Sequence, residues 1–318
     1  MNVKEQKNSK GERVNTLSRR KWNERGFLIS VWAFPTLLFC VLYVYINFNS
    51  IMLAFKHVSN DDFEYTWAGL YNFKWFLDTI MHDPSLEYAI GNSVLIYLVN
   101  ILINTPIQII IAFFIYKKIY GTEFFKVILF LPQIIASVIW VMLFRYFCDY
   151  GMPKVMESLG LESIFLLDKD APIGFAMMLF YSSWIGLGGA MLVYVGTMSR
   201  IPDTVIEAGK LDGMTIMKEF IYLVVPLVYP ILSVSLVTSV PSIFTNQLFI
   251  YVFFQETAGP RLYTIGYYLF IQIIGSSTAS VSQYPFAAAG GLLITLVVAP
   301  FTFGMRWLVL KFDPEVSY

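Results

Sequence analysis

Six long apolar stretches, set apart by shorter polar ones, dominate the chain. They run over about Phe27–Ala54, Ile90–Tyr116, Val127–Phe147, Pro172–Met198, Ile221–Phe254 and Pro285–Leu310. Each reaches the length, about 18 residues, at which an apolar run reads as a bilayer-spanning helix. Run lengths of this kind argue against six helices forming a soluble core. The fifth run is long enough to tilt or break, and Pro226, Pro230 and Pro241 supply break points. The first exceeds the apolar core of a cleavable signal peptide, and no small-residue cleavage site follows it. The pattern therefore predicts an all-α polytopic membrane protein. One six-helix domain covers 27–310, with a polar, basic tail at 1–26 and a short one at 311–318.

Composition sharpens this picture. Of the 318 residues, 57% are hydrophobic and only 14% charged, against about 25% charged in soluble domains; mean hydropathy is +0.63. Net charge is zero, which argues against a basic surface for nucleic acid. Charge distribution is more informative than its sum. Sixteen of the 22 Lys and Arg residues fall on one side of a six-span chain, among them the tail cluster Lys4–Arg25, Lys117, Lys118, Arg200, Lys210 and Lys311. The positive-inside rule then places both termini in the cytoplasm. Cys40 and Cys148 cannot make a disulfide framework. His57 and His82 stand apart from each other and from either cysteine, so a histidine metal site is not expected.

Two outer segments are more than tight turns. Lys56–Glu87 carries the acidic Asp61, Asp62 and Glu64, then Trp67, Tyr71, Phe73, Trp75 and Phe76, aromatics that either meet an external partner or anchor the membrane interface. Asp149–Asp170 is amphipathic around Met152–Leu159.

The loop at 199–220, between the fourth and fifth runs, carries the functional argument. Pro202 suits a first helical turn and Asp203 places negative charge near the positive dipole end. Val205, Ile206 and Gly209 offer an apolar, small-residue face. Gly213 can take the positive φ that ends a helix, and Thr215 can cap the next one. A short helix across the membrane, a sharp break and a transmembrane helix are expected in that order.

Glu207-Ala208-Gly209, then Asp212-Gly213, Phe220 and Pro226, resemble the EAA signature of permease subunits of ABC importers. Gly209 and Met214 stand where that family usually has alanine. The resemblance covers the chain from about Pro35 and is nearest to the carbohydrate-uptake branch of maltose, oligosaccharide and glycerol-phosphate permeases. Phe125–Pro132 with Trp140 and Gly151, Trp184 followed by Ile201-Pro202, Gly259-Pro260 with Thr264, and Pro285–Gly290 resemble that branch's motifs in order. The resemblance implies the type I importer permease fold in a bacterial cell membrane. It implies a loop at Glu207, Ala208, Gly209, Asp212 and Gly213 that docks on a cytoplasmic ATPase. The implied partners are a second homologous permease, two ATPase subunits, an extracellular solute-binding protein, a carbohydrate and surrounding lipid. The chain has no G-x-x-x-x-G-K-[ST], so it is expected to hold no cofactor and to perform no catalysis, with Mg-ATP on the partner ATPase.

A sugar path must be polar inside an apolar bundle. Asn92, Asn100, Asn104, Gln108, Gln133, Asn246, Gln247 and Gln272 lie in or near the spans, where such groups either line a path or join helices. By similarity to disaccharide permeases, sugar-contacting positions fall at Ser182, Gly186, Ser239, Ile243 and Asn246. Ser182 and Gly186 are four residues apart on one helix face, and the other three share a face by the same spacing. Trp184 either stacks on a sugar ring or packs inward. Arg145, near the outer end of the third run, either meets an anionic substrate or is paired.

Three alternatives remain open from sequence. A permease for another solute lacks support from the carbohydrate-type motifs. An ion-coupled transporter needs carboxylates within the membrane, whereas the acids fall in tails, loops and span ends. An intramembrane enzyme would need a motif such as H-E-x-x-H, which is absent.

Overall fold

A computed structural model describes residues 27–58, 64–274 and 283–312. The tail at 1–26 with its basic cluster, the acidic pair Asp61–Asp62 and the segment beyond residue 312 lie outside them. Among the described residues five helices are long and apolar enough to cross a membrane: Phe27–Leu53, Pro84–Tyr116, Pro172–Met198, Ile216–Ser239 and Gln283–Lys311. The sixth candidate is a bent pair, Thr122–Ile134 and Ser137–Ser158, whose halves meet at 104°. In chain order these are the first, second, fourth, fifth, sixth and third spans.

The third span was expected as one rod over Val127–Phe147. Pro132 is accommodated inside its first half, and the break comes just beyond it, where Ile135 and Ala136 turn extended with ψ of 139° and 131°. The fifth run was expected to reach Phe254. Its helix ends at Ser239, and two short helices follow, Ser242–Thr245 and Ile250–Phe254. Of the three prolines expected to break it, Pro241 does so, at the start of the first short helix, whereas Pro226 and Pro230 sit inside a continuous helix.

The reason Pro226 is tolerated recurs elsewhere. Three π-helical segments, Asn100–Asn104, Phe147–Gly151 and Glu219–Val224, each lead into a helix with proline at its second position: Pro106, Pro153 and Pro226. One extra residue in the preceding turn relieves the clash between the proline ring and a carbonyl one turn back.

Packing fills the two ends of the bundle differently. At the end bearing Lys117 and Arg200, Ile109, Phe113, Met191, Met198, Ile201 and Val224 form one buried cluster that joins the second, fourth and fifth spans. At the opposite end, Tyr181, Leu248, Phe253, Leu262 and Tyr267 form another around the two short helices. The first span packs differently, and all of residues 27–51 are exposed.

The outer segment after it departs from an all-helical chain. Lys56–Val58 pairs antiparallel with Tyr65–Trp67, and the buried Asn72 amide donates to the Ala54 and Lys56 carbonyls at 2.9 and 2.7 Å. Of the aromatics expected to face lipid or a partner, Phe76 is instead buried against Phe286, and Trp75 lies 4.5 Å from the same ring. Trp67 and Tyr71 are exposed, as an interface anchor would be.

Candidate functional site

The loop between the fourth and fifth spans folds as its residues dictate. Pro202 is extended (ψ 137°) and stands at the N-cap of a helix over Asp203–Leu211, with Asp203 in the first turn and Lys210 in the last. Both charges complement the helix dipole. The helix closes in a Schellman turn: Met214 N–H donates to the Gly209 carbonyl at 3.0 Å and Gly213 N–H to that of Lys210 at 3.1 Å. This geometry needs a left-handed residue after the C-cap, and Gly213 supplies it at φ +76°. Thr215 then accepts from Lys218 N–H and starts the next helix. The accompanying apolar contact of such a turn is Met214, whose side chain lies beneath Gly209.

Two faces result. Ile206 packs into the buried cluster at this end, and Gly209 is buried against the loop. The other face is open: Glu207, Ala208, Asp212 and Gly213 are exposed, and so are Val205 and Leu211, the latter at 89%. This open face combines the apolar Val205, Ala208 and Leu211 with the carboxylates of Glu207 and Asp212. The structure therefore brings all five expected coupling positions onto one short element.

The expected path residues are spread more widely. Ser182 and Gly186 are on the fourth span, where Gly186 is exposed and its carbonyl accepts from Gln108 Nε2 at 3.2 Å. Ser239 ends the fifth span, and its hydroxyl donates to the Leu236 carbonyl at 2.8 Å. Ile243 lies in the first short helix and Asn246 follows it as C-cap. The one helix face expected for these three is thus divided between two helices by Val240–Pro241. The Asn246 carboxamide oxygen accepts from Leu248 N–H at 2.8 Å, holding a turn in which Leu248 and Phe249 are both left-handed.

Trp184 packs edge-on against Trp140, with centroids 5.3 Å apart, and near Tyr181 at 6.4 Å. With Leu143, Phe144, Phe147 and Phe180 the two tryptophans line an apolar groove of about 320 Å³. Sequence alone pointed to Trp184 and not to this aromatic ensemble, because its members come from segments far apart in the chain.

Four of the eight amides singled out in or near the spans, Asn92, Asn104, Gln108 and Gln133, bridge separate segments. Asn92 donates to the Arg261 and Tyr263 carbonyls (2.8 and 2.9 Å), Asn104 to the Ser183 hydroxyl (3.1 Å) and Gln133 to the Ile185 carbonyl. Arg145 is paired: it donates to the Phe253 carbonyl at 3.0 Å and lies 3.4 Å from Asp149. Among the described residues no three His, Cys, Asp or Glu side chains converge as a metal site would require.

One polar feature had no sequence signal of its own. Lys117 Nζ lies 2.5 Å from Glu219 Oε1, with both side chains largely buried. A carboxylate at the edge of an apolar run was the available hint, and it reads equally well as a solvated span end.

No family model matches the sequence. Curated relatives do. The lactose transport system permease protein LacF of Rhizobium radiobacter is 26% identical, covering 87% of this chain and 88% of that one. The multiple sugar-binding transport system permease protein MsmF of Streptococcus mutans is 22% identical over 84% and 90%. The probable ABC transporter permease protein YurN of Bacillus subtilis is 25% identical over 70% and 77%. Among solved structures, a bacterial ABC transporter involved in the import of the acidic polysaccharide alginate has a chain that superposes with a TM-score of 0.75 at 19% identity. That match covers 92% of this chain and 99% of the other.

Proposed function

For a polytopic membrane protein with the ABC importer permease fold and sugar permeases as curated relatives, we propose that the chain forms half of the translocation path for a carbohydrate. In this reading a second homologous permease supplies the other half. An extracellular binding protein delivers the substrate, and two ATPase subunits bind Mg-ATP on the Arg200 side, which faces the cytoplasm. The observation that carries the reading is the Asp203–Leu211 helix, closed by Gly213 and open on the face of Val205, Ala208 and Leu211. ATPase closure would move that helix, and the spans would switch as rigid bodies between inward-open and outward-open packings.

Hydroxyl, amide and aromatic groups suit an uncharged polyol. Arg145, near the outer end of the third run, is engaged by Asp149 and the Phe253 carbonyl. Ser182, Trp184, Gly186, Ser239, Ile243 and Asn246 are assigned to the path. The test replaces Ser182, Ser239 and Asn246 by alanine. Uptake of labelled sugar by the assembled importer should fall about ten-fold, equivalent to one or two lost hydrogen bonds, while assembly and basal ATP hydrolysis persist. Normal uptake in the triple variant moves the path elsewhere.

A further inference from the structure

We propose that Lys117 and Glu219 form a register clamp that makes the Asp203–Leu211 helix and the end of the second span move as one body. Both are then positioning residues of the transport cycle and lie off the sugar path. The inference rests on the reading of the loop as an ATPase contact.

Three observations converge on this pair. Lys117 is the first residue past the second span. Its side chain, 20% exposed, folds back so that Nζ meets Glu219 Oε1 at 2.5 Å while lying 5.8 Å from the Phe113 ring centroid. Glu219 is 6% exposed and begins the π segment Glu219–Val224, four residues beyond the Thr215 cap. Its Oε1 has no polar partner other than Lys117 among the described residues, so the ammonium is what offsets the burial of that oxygen. Second, the Phe113 and Phe220 rings meet at a 50° tilt with centroids 5.0 Å apart, and Ile206 of the short helix packs into the same buried cluster. Third, among the described residues the other ion pairs, His82–Asp78 and Arg145–Asp149, each lie within one helix at i,i+4. Lys117–Glu219 joins two spans.

A buried pair of this kind contributes little net stability, because desolvation consumes most of the attraction. Its best-attested use is to fix register. Sliding the fifth span against the second would separate two desolvated charges, and each would then lack a partner. The clamp therefore penalises any motion of the short helix that leaves the second span behind. π segments, whose hydrogen bonding is locally loosened, recur at such functional positions. Glu219 opens one such segment, and the rest of it separates the clamp from Pro226.

The test uses the complete importer in proteoliposomes. The double variant Lys117→Met, Glu219→Leu removes both charges at similar volume and leaves no orphan behind. Membrane level and ATPase co-purification should match the wild type, while ATP hydrolysed per labelled sugar moved rises about five-fold or more. The reversed pair, Lys117→Glu with Glu219→Lys, should bring that ratio back towards the wild-type value. An unchanged ratio in the neutral variant overturns the clamp, as does a fall of uptake and hydrolysis in step. Failure of the wild-type chain to co-purify with ATPases would instead overturn the proposed function.

Discussion

Gly188→Val is expected to damage the bundle severely. Gly188 is buried on the fourth span where the third span crosses it. A side-chain carbon there would overlap the Leu129 carbonyl oxygen and lie 3.0 Å from its carbon. Both are backbone atoms, so no rotamer change relieves the contact. Helices in a membrane depend on such small residues for close approach. The same closeness lets Gln133 reach across to the Ile185 carbonyl. Overpacking costs about 1–3 kcal/mol even where side chains can adjust, and here two backbones must separate. Gly186→Ala is the internal control, because no atom lies within 4 Å of its new carbon. Thermal unfolding in detergent should show Gly188→Val losing its folded form well below the wild type and Gly186→Ala melting with it. Equal melting of all three would remove the close crossing from the account.

The second large effect is functional and leaves the fold alone. Gly213 has φ +76°, and a β-carbon placed there meets no atom within 4 Å. Any consequence must come from the backbone. A β-branched residue resists positive φ, and the strain is about 1–3 kcal/mol. That is enough to open the Schellman turn and swing the Asp203–Leu211 helix away from its seat, and too little to unfold six spans. Gly213→Val should insert and accumulate normally, as protease protection can show, yet lose most ATPase co-purification and most ATP-driven uptake. Gly213→Asn should recover much of both, since asparagine tolerates the left-handed region. Equal loss in the two variants would mean that something other than backbone conformation fails.

Much of this architecture was legible in the sequence because bilayer spans are written as long apolar runs, and their number and order follow from counting. The loop was legible for a different reason. Pro202, Asp203, Gly213 and Thr215 each have a narrow conformational role, and their spacing left one arrangement. What could not be read depends on distance in sequence. Phe76 belongs to an aromatic cluster that reads like an interface belt until Phe286, from the other end of the chain, is placed beside it. The break at Ile135–Ala136 and the unbroken helix at Pro226 show that a proline alone does not reveal its consequence. The preceding turn decides, and π segments have no periodicity that marks them in advance. Asn246 was assigned by similarity to disaccharide permeases and placed on one face with Ser239 and Ile243, and the interruption at Val240–Pro241 divides that face between two helices.

The account's central claim is that this chain carries sugar only when ATPases act on its Arg200 end. The measurement is uptake of labelled oligosaccharide into proteoliposomes holding the chain with its partner permease and ATPases, with binding protein outside and ATP enclosed inside. The predicted result is sugar accumulation that requires enclosed ATP and the binding protein, and that stops when the ATPase subunits are omitted. Accumulation that persists without ATPases, driven by an ion gradient, would contradict it.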